Sequence, residues 1–426
     1  MKRWPRLPAL WMAILVLAAA FMPRAVQAPA GSRDWSAEFR ENLQQGILRF
    51  WIDHAIDRQY GGMMGWLNRQ GNPIPPGTKS LVQQARVVWT FAAAYRQFPE
   101  PLYKEIATHT LKFLREKMWD AKRGGFYWLV DREGRVLDSK KHLYGQSFAL
   151  YGLAEYAQAF NDAAAREEAM ALFQLIDRKG HDDVNGGYRE AFSMDWQPLP
   201  NDPTLGSRCR KSMNTHIHLL ESFTTLYKAT GDAPVRSRVE ELLDLCAEKI
   251  VDTRQGYARL YFTDDWKPSD SNTSSYGHDI ELSWLMTETA EALGRPRDPK
   301  VLRASLALVE HTLRDGFDPA GRDGVYDEGP AAGPAASKRM IWWVEAEALV
   351  GFLNAYQLTG KAEYHDRFEQ QARYVFDHFA DRQFGEWFNT IEPDGKISGE
   401  KTNEWKGPYH QGRACLEVIR RLRGAP

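Results

Sequence analysis

The sequence predicts an all-α protein folded as an (α/α)6 barrel, a closed ring of six helix pairs. Two observations predict this fold. A glycine-led, aromatic-rich segment returns six times at an interval of about 60 to 70 residues, which suits one helix pair plus a loop. Between these segments, an amphipathic helical pattern alternates with one that is apolar nearly all round. The six segments begin at Gly61, Gly124, Gly186, Gly256, Gly324 and Gly385.

The amphipathic pattern predicts outer helices that keep one face in solvent. In the last third of the chain, for example, Val301, Leu306, Leu308 and Leu313 return at helical spacing among charged residues. Their apolar stripe is expected to pack on an inner layer. The predicted outer helices span 36–56, 100–118, 162–179, 232–253, 297–314 and 361–380.

The second pattern is rich in alanine and indicates helices that are buried on every side. The runs 84–95 (QARVVWTFAAAY) and 344–356 (VEAEALVGFLNAY) are examples. Six such helices would form an inner ring, enclosed by the outer ones. They are predicted at 80–97, 143–160, 212–230, 276–293, 338–358 and 407–423.

The chain has 426 residues, and residues 31–426 are predicted to form a single domain. Ordinary cores stop growing near about 250 to 300 residues, but in a ring of repeats each helix pair packs mainly on its neighbours. Residues 1–30 are predicted to be a cleavable signal peptide, because Lys2 and Arg3 precede an apolar run at 9–22 and small residues follow. We therefore expect a secreted or periplasmic protein.

Composition excludes several classes of partner. The formal net charge is −1 and opposite charges are interspersed, so we expect no nucleic-acid face and no stable membrane insertion after cleavage. No glycine-rich nucleotide loop or metal-ligand spacing occurs, so no cofactor and no metal are expected. A closed barrel also needs no partner chain, which favours a monomer. The three cysteines form no CxxC pair; Cys246 is expected to be buried, and a Cys209–Cys415 bridge is left open.

Polar residues cluster in the first turns of the predicted inner helices. If all six helices run in one orientation, these turns meet at one mouth of the barrel, where helix N-termini favour a developing anion. The mouth is therefore the predicted functional cleft. The clustered residues are Arg86, Tyr144, Gln146, Asn214, His216, His218, His278, Glu281, Glu345, Glu347 and His410.

Tryptophans accompany these polar clusters and indicate a carbohydrate ligand. The chain contains 15 tryptophans, and several lie in loops or first turns beside the cleft residues. A sugar has an apolar face that packs on an aromatic ring and hydroxyls that need polar partners. The tryptophans concerned are Trp66, Trp128, Trp342, Trp343, Trp387 and Trp405.

Three histidines are candidates for the cleft. Asn214 and His218 are four residues apart and share a helix face, whereas His216 lies on another face and is expected to be structural. His278 and Glu281 are three apart, so the carboxylate can orient the imidazole for acid–base chemistry. Asp279 points elsewhere and is interpreted as a helix-start acid.

The third histidine, His410, opens the last inner helix after Trp405-Lys406-Gly407-Pro408-Tyr409. Proline at position 408 suits the first turn of a helix. Two histidines at matching stations of different repeats favour a shared substrate for His278 and His410.

These motifs resemble the N-acylglucosamine 2-epimerase superfamily, and within it the enzymes that act on disaccharides. The resemblance covers essentially the whole chain after the predicted signal peptide. It is carried by Ala85–Phe91, Tyr144-Gly145-Gln146, Asn214–His218, Gly277–Glu281, Trp342–Ala348 and Pro408-Tyr409-His410.

The resemblance implies an isomerase that interconverts glucose and mannose at the reducing end of β-1,4-linked disaccharides such as cellobiose or mannobiose. The reaction would open the ring, remove the C2 proton and pass through an enediolate. The resemblance assigns proton transfer to His278 and His410 and oxyanion stabilisation to Arg86. It implies that His218 either assists ring opening or holds the C1–O5 region of the sugar. It also implies that the sugar is held by Tyr144, Asn214, Glu281, Trp284, Trp343, Glu347 and Trp405.

Alternatives remain open at the level of sequence. For Trp284 and Glu347, core packing and a buried salt bridge compete with sugar binding. An epimerase or aldose–ketose isomerase of free mannose would use the same residues. A glycoside hydrolase needs two opposed carboxylates, about 5 to 9.5 Å apart, which adjacent pairs on one helix do not supply. An exported carbohydrate-binding barrel would leave Arg86, His278 and His410 without a task.

Overall fold

The structure, a computed structural model, describes residues 33–200, 202–205, 209–269, 272–318, 320 and 324–423. The predicted signal peptide lies outside these residues. Within them, twelve α-helices alternate between two rings. The inner helices are α2 (Leu81–Gln97), α4 (Leu143–Phe160), α6 (Met213–Thr230), α8 (Tyr276–Ala292), α10 (Trp342–Thr359) and α12 (Tyr409–Leu422). The outer helices are α1 (Trp35–Glu41), α3 (Pro101–Phe113), α5 (Ala163–Gly180), α7 (Ala233–Leu245), α9 (Pro299–Asp315) and α11 (Ala362–Tyr374).

Four of the outer helices continue into π-helical turns, which lengthen them to nearly the predicted bounds. The turns are Asn42–Leu48 and Trp51–Ala55 after α1, Leu114–Met118 after α3, Cys246–Ile250 after α7 and Val375–Phe379 after α11.

The inner helices form a closed ring. Each contacts the next in chain order, and α12 returns to contact α2. The outer helices α3, α5, α7, α9 and α11 each pack on the inner helix that precedes them, whereas α1 packs on α12. The N-terminal helix thus completes the outer ring beside the C-terminal helix. The predicted (α/α)6 barrel is confirmed.

Close helix contacts explain the small residues of the inner ring. A Cβ atom added to Gly351 of α10 would lie 2.4 Å from the Ile280 side chain of α8. On α4, a Cβ atom at Gly152 would lie 3.0 Å from the carbonyl oxygen of Ala85 on α2. Larger residues at these positions would push neighbouring inner helices apart.

The six glycine-led segments are hairpin-like loops. Each makes an antiparallel bridge between a residue near the end of an outer helix and a residue one or two positions after its leading glycine or glycine pair. Gly61 and Gly62 adopt φ of 82° and 65°, which favours glycine. The bridges join Ile56 with Met63, Trp119 with Phe126, His181 with Tyr188, Val251 with Ala258, Phe317 with Val325, and Ala380 with Trp387.

Short antiparallel strands connect these loops to the inner helices. Among the described residues they are β1 (Lys79–Ser80), β2 (Leu129–Val130), β3 (Val136–Asp138), β4 (Lys141–His142), β5 (Ala191–Phe192), β6 (Lys211–Ser212), β7 (Val251–Asp252), β8 (Tyr257–Ala258), β9 (Tyr261–Phe262), β10 (Thr273–Ser275), β11 (Glu328–Pro330), β12 (Met340–Ile341), β13 (Thr390–Ile391) and β14 (Ile397–Ser398). They pair as β1-β2-β3, β4-β5, β6-β9, β7-β8, β10-β11 and β12-β13-β14.

One polar residue near the start of each inner helix is used to hold a loop. Gln84 accepts from the backbone N–H of Met63 at 2.8 Å, and His216 accepts from that of Tyr188 at 2.9 Å. The same bond is made by Gln146 with Phe126, by Asp279 with Ala258 and by Glu345 with Val325. In the sixth repeat Glu386 takes the bond from Trp387, and Gln411 donates to Glu386.

These bonds separate the polar residues that hold loops from the other polar residues at the starts of the inner helices. His216 is structural, as expected. Gln146 and Glu345 also bond to loops, so their expected place in the cleft is wrong. No disulfide joins the three cysteines, and both Cys246 and Cys415 are buried. No helix in the described part of the chain is long and apolar enough to cross a membrane.

Candidate active site

A cavity of about 380 Å³ opens at the barrel mouth where the inner helices begin. All six inner helices contribute to its wall. Nine residues to which the family resemblance gives a role line it: Arg86, Tyr144, Asn214, His218, His278, Glu281, Trp343, Trp405 and His410. Their roles in binding and catalysis stay predictions. Thr204, Ile341, Trp342, Asn389 and Asn403 complete the wall.

His278 lies in the first turn of α8, half-buried in the cavity wall. Its Nδ1 is 2.8 Å from the hydroxyl of Ser275, the residue that precedes the helix. Removal from bulk water lowers the pKa of His278 to about 3, and the nearby charges of His218 and Arg86 act in the same direction. The imidazole is therefore neutral near pH 7 and can accept a proton.

The expected pairing of His278 with Glu281 is wrong. Ser275, not Glu281, contacts the Nδ1 of His278, and Oε1 of Glu281 instead accepts a hydrogen bond from Arg413 at 2.6 Å. A spacing of three places both residues on neighbouring faces of α8, but the buried guanidinium binds the carboxylate more strongly than an uncharged ring would.

His410 opens α12 and is buried beside Trp343. Its Nδ1 is 2.7 Å from Oε1 of Glu347 on α10. Burial, Arg86 and Arg413 hold the pKa of His410 well below its usual range. An ionised Glu347 fixes the proton of the neutral ring on Nδ1, which leaves Nε2 as the free base.

The side chain of Trp343 packs against both His278 and His410. Its ring centroid is 4.7 Å from that of His278 and 5.6 Å from that of His410. Because both imidazoles pack on the same indole and line the same cavity, one substrate can contact both.

Arg86 supplies a fixed positive charge to this cavity. One Nη donates to the hydroxyl of Tyr144 at 2.9 Å, and the guanidinium lies 4.3 Å from the ring centre of Phe148. Its other Nη donates to the carbonyl oxygen of Trp405. Such contacts fix the donor in place before any negative charge develops.

A charged layer lies directly beneath the cavity and is centred on Arg413. This arginine is 2% exposed and donates to Glu281 at 2.6 Å and to Glu347 at 2.7 Å. It also donates to Glu221 of α6 and to the hydroxyl of Tyr409. Three inner helices thus each contribute a buried carboxyl group to one guanidinium.

The positions of Trp284 and Glu347 revise their predicted contact with the sugar. Neither lines the cavity. Trp284 is 1% exposed, and its Nε1 donates to Oε2 of Glu347 at 3.1 Å. Both residues support His410 from below, so the core alternative that the sequence left open is the one realised.

One proton is expected to remain in this layer near neutral pH. Burial, and then the charge of Glu347, raise the pKa of Glu281 to about 7. Burial opposes ionisation of Glu221 as well, but Arg413 and His218 outweigh it and lower the pKa of Glu221. Burial also raises the pKa of Glu347, so Glu281 and Glu347 are the groups that hold this proton beside the single guanidinium.

Glu281, Glu347 and His410 also satisfy the distance requirement for a metal cluster, with ligand atoms within 4.8 Å of one another. Arg413 already donates to both carboxyl groups, so its guanidinium supplies the positive charge that a metal would supply there. These residues therefore fit an ion-paired layer better than a metal centre.

Sequence reasoning missed Arg413, Glu221 and Tyr409. The available signal was a spacing of three, which recurs after each cleft histidine: His218 with Glu221, His278 with Glu281, and His410 with Arg413. Residues three apart are neighbours on a helix, one of them a turn deeper in the barrel. Only the middle pair was recognised.

A family model for N-acylglucosamine 2-epimerase (GlcNAc 2-epimerase) matches residues 62–414. The chain belongs to the N-acylglucosamine 2-epimerase family. Within it, the chain is 33% identical over 392 residues to cellobiose 2-epimerase from Bacteroides fragilis, covering 90% of this chain and 98% of that protein. It is 34% identical over 391 residues to cellobiose 2-epimerase from Dictyoglomus turgidum, with coverage of 91% and 98%. The protein is thus a carbohydrate epimerase, an enzyme of the isomerase class.

Solved structures of the family have the same fold. Cellobiose 2-epimerase from Bacillus thermoamylovorans is 32% identical and superposes with a TM-score of 0.85, over 91% of this chain and 99% of that chain. Glycoside hydrolases of family 76 from Bacteroides thetaiotaomicron share only the architecture, at 11% identity and a TM-score of 0.62.

Proposed function

We propose that the protein interconverts glucose and mannose units at the reducing end of β-1,4-linked disaccharides, converting cellobiose into glucosyl-mannose. One observation carries the proposal: His278 and His410 line one cavity from two inner helices, and both pack on Trp343. Its support in the comparisons is the similarity, at 33% and 34% identity, to two proteins named cellobiose 2-epimerase.

The chemistry begins with ring opening. The hydroxyl at C1 loses its proton as the C1–O5 bond breaks, and O5 gains one. His218 lines the cavity and is held through its Nδ1 by Glu221 at 3.1 Å, so its Nε2 can exchange a proton with the sugar. The product of this step is an open-chain aldehyde, whose C2 proton is acidic.

Epimerisation then needs two bases on opposite faces of C2. In one direction His278 removes the C2 proton, and His410, after taking a proton from solvent on Nε2, returns it to the other face. His278 then releases its proton to solvent, and in the reverse direction the roles exchange. The electron pair left at C2 moves into an enediolate, whose oxygen becomes negative. Arg86 lines the same cavity as both histidines and stabilises this charge. Stabilisation of a developing charge by a preorganised donor is usually the largest single contribution to catalysis.

The remaining wall would hold the sugars. Trp405 and Trp343 present aromatic surfaces, while Tyr144 and Asn214 offer groups that bind hydroxyls. The cavity of about 380 Å³ falls in the usual range for a small-molecule site.

Incubation of the purified protein with cellobiose in D2O tests the proposal. We expect glucosyl-mannose that carries deuterium at C2, because the proton that the second histidine returns comes from solvent and not from the substrate. A disaccharide without deuterium would contradict proton transfer at C2. Free glucose as the product would indicate a hydrolase, and conversion of free mannose alone would indicate a monosaccharide enzyme.

Two variants connect this reaction to the named residues. His278→Ala and His410→Ala are each expected to lower kcat by about 10²-fold or more, the usual scale for a positioned acid or base. Near-normal turnover in both variants would contradict the mechanism while leaving the fold and substrate class unaffected.

Export of the protein is a separate proposal, and it rests on the sequence of residues 1–30. N-terminal sequencing of secreted or periplasmic material is expected to begin within a few residues of Pro29. A chain that starts at Met1 and stays in the cytosol would contradict it.

A further inference from the structure

A second, smaller cavity lies inside the barrel, deeper than the charged layer. Its volume is about 20 Å³, enough for one water molecule. Glu221, Thr224 and Thr289 line it, and the two threonine hydroxyls are 3.0 Å apart. A buried water needs two to four polar partners, and this lining supplies them.

The far end of this lower cavity reaches the surface opposite the barrel mouth. Glu288 also lines the cavity, and its side chain is 29% exposed. Its Oε1 is 2.6 Å from Nζ of Lys228, whose side chain is 38% exposed. Water at this rim is thus in contact with bulk solvent.

Glu221 connects the two cavities. Its Oε2 is 3.1 Å from Nδ1 of His218, which lines the upper cavity, and the same carboxylate lines the lower one. Its Oε1 accepts from the hydroxyl of Tyr409 at 2.5 Å and from Arg413. Tyr151 is the other titratable side chain that lines the lower cavity near Glu221. It keeps its proton, because burial raises its pKa well above the usual range.

We propose that Glu221 and one water in the lower cavity carry protons between His218 and solvent at the end of the barrel opposite the mouth. This inference rests on the proposed function, in which a disaccharide fills the upper cavity and separates His218 from solvent at the mouth. The lower route stays open when the mouth is occupied.

The transfer is balanced in protons. When Nε2 of His218 takes a proton from the C1 hydroxyl, the ring becomes an imidazolium. Its Nδ1 proton passes to Oε2 of Glu221, and the neutral imidazole is restored. Glu221 holds this proton only in passing, because, against the effect of burial, Arg413 lowers the pKa of its carboxyl group. Glu221 then gives a proton to the water, which releases one of its own towards the rim at Glu288. The reverse sequence delivers a proton to the sugar.

The test measures exchange of the His218 imidazole N–H with solvent, by NMR on protein with 15N-labelled histidine. His218→Gln identifies the signal. Cellobiitol, the reduced form of cellobiose, fills the upper cavity without reacting because it has no aldehyde carbon. Exchange is compared with and without cellobiitol in the wild type and in a Thr224→Val/Thr289→Val double variant, which removes both hydroxyls at nearly constant volume.

We expect cellobiitol to leave the exchange rate of the wild type almost unchanged. In the double variant we expect cellobiitol to slow exchange by about tenfold or more, which is the factor that corresponds to the loss of one hydrogen bond. Thr287→Val is the matched control, because Thr287 lies on the same helix as Thr289 but bonds to Trp284 and Asn354 instead. Equal exchange in wild type and double variant with cellobiitol bound would overturn the proposal. If the double variant does not fold, Thr289→Val alone is used.

A crystal structure without sugar provides a test that does not depend on substrate. It is expected to contain one ordered water within hydrogen-bond distance of Glu221 and the two threonine hydroxyls. A dry lower cavity would overturn the proton route, whether or not the protein epimerises cellobiose. Failure of epimerisation with the water in place would instead contradict the proposed function alone.

Discussion

Nδ1 of His410 lies 2.7 Å from Oε1 of Glu347, although 63 residues separate them in the sequence. Nη2 of Arg413 also donates to that carboxylate oxygen, at 2.7 Å. The carboxylate therefore orients the imidazole, and the guanidinium orients the carboxylate. This chain of contacts aims the free nitrogen of His410 at the cavity, and it can be tested one residue at a time.

Glu347→Gln removes the negative charge but keeps the shape of the side chain. We expect kcat to fall by about 10²-fold with little change in KM, because the imidazolium form of His410 loses its stabilising partner. Steady-state kinetics on cellobiose measure the effect. Glu155→Gln is the matched control, since Glu155 is a buried carboxylate of an inner helix whose partner is Arg96, outside the cavity. Equal kcat in both variants would contradict the positioning role.

Arg413→Met keeps the volume of the side chain and removes its charge. Three buried carboxyl groups then lose a common partner, and breaking such a buried ion pair costs about 3–5 kcal/mol. Urea denaturation at pH 7 measures the loss in the free energy of unfolding. Arg413→Lys is expected to lie between Arg413→Met and the wild type, because it restores the charge but not the fork of donors.

The control for Arg413 is a surface pair. Arg49 and Asp53 are four residues apart, with side chains 58% and 38% exposed. Arg49→Met is expected to cost no more than about 0.5 kcal/mol. A loss below about 1 kcal/mol in Arg413→Met would show that the charged layer does not depend on its guanidinium.

The pH dependence of stability follows from Glu281. Its pKa in the folded protein is raised to about 7 from the ordinary value of 4.5. Between these values the folded state binds more protons than the unfolded one, so this group lowers the free energy of unfolding as pH rises, by up to ~1.4 kcal/mol per pH unit. Glu281→Gln abolishes this contribution. In denaturation experiments at pH 5, 6 and 7, the free energy of unfolding of the variant is expected to rise relative to that of the wild type as pH increases. A difference that stays constant with pH would contradict the raised pKa.

Trp343 and Trp405 are expected to differ in their kinetic effects. Trp405→Ala is expected to raise KM by about 3- to 10-fold with kcat retained, because its ring packs on Trp128 and Tyr144 and touches neither His278 nor His410. Trp343→Ala is expected to raise KM and lower kcat together, since its ring holds both histidines. Retained kcat in Trp343→Ala would contradict that supporting role.

The fold was predictable because glycine loops and helix periodicity are local features. The inner helix predicted at 143–160 has those bounds in the structure. The helix predicted from residue 338 begins at Trp342, because Met340–Ile341 first pairs with Thr390–Ile391 as a strand. That pairing is non-local and leaves no mark in helical periodicity.

The site was predictable where it is built from the first two turns of the inner helices. Residues in those turns, such as Arg86 and His278, reach the cavity as expected. The layer below depends on which faces of three helices meet around Arg413, and local spacing does not specify that. Glu281 shows the difference: its distance from His278 in sequence suggested a pair, but a guanidinium 132 residues away binds it.

The ring closes where the first and last of the described helices and their loops meet. Trp51 donates to Glu386 at 2.8 Å, and Trp387 donates to Asn42 at 2.8 Å. The final inner helix, Tyr409–Leu422, carries both His410 and Arg413. A ribosome must therefore synthesise the chain through Arg413 before the cavity receives its second histidine and the three buried carboxyl groups receive their cation. Until then, the growing chain holds an unfinished ring whose three acidic residues lack their guanidinium.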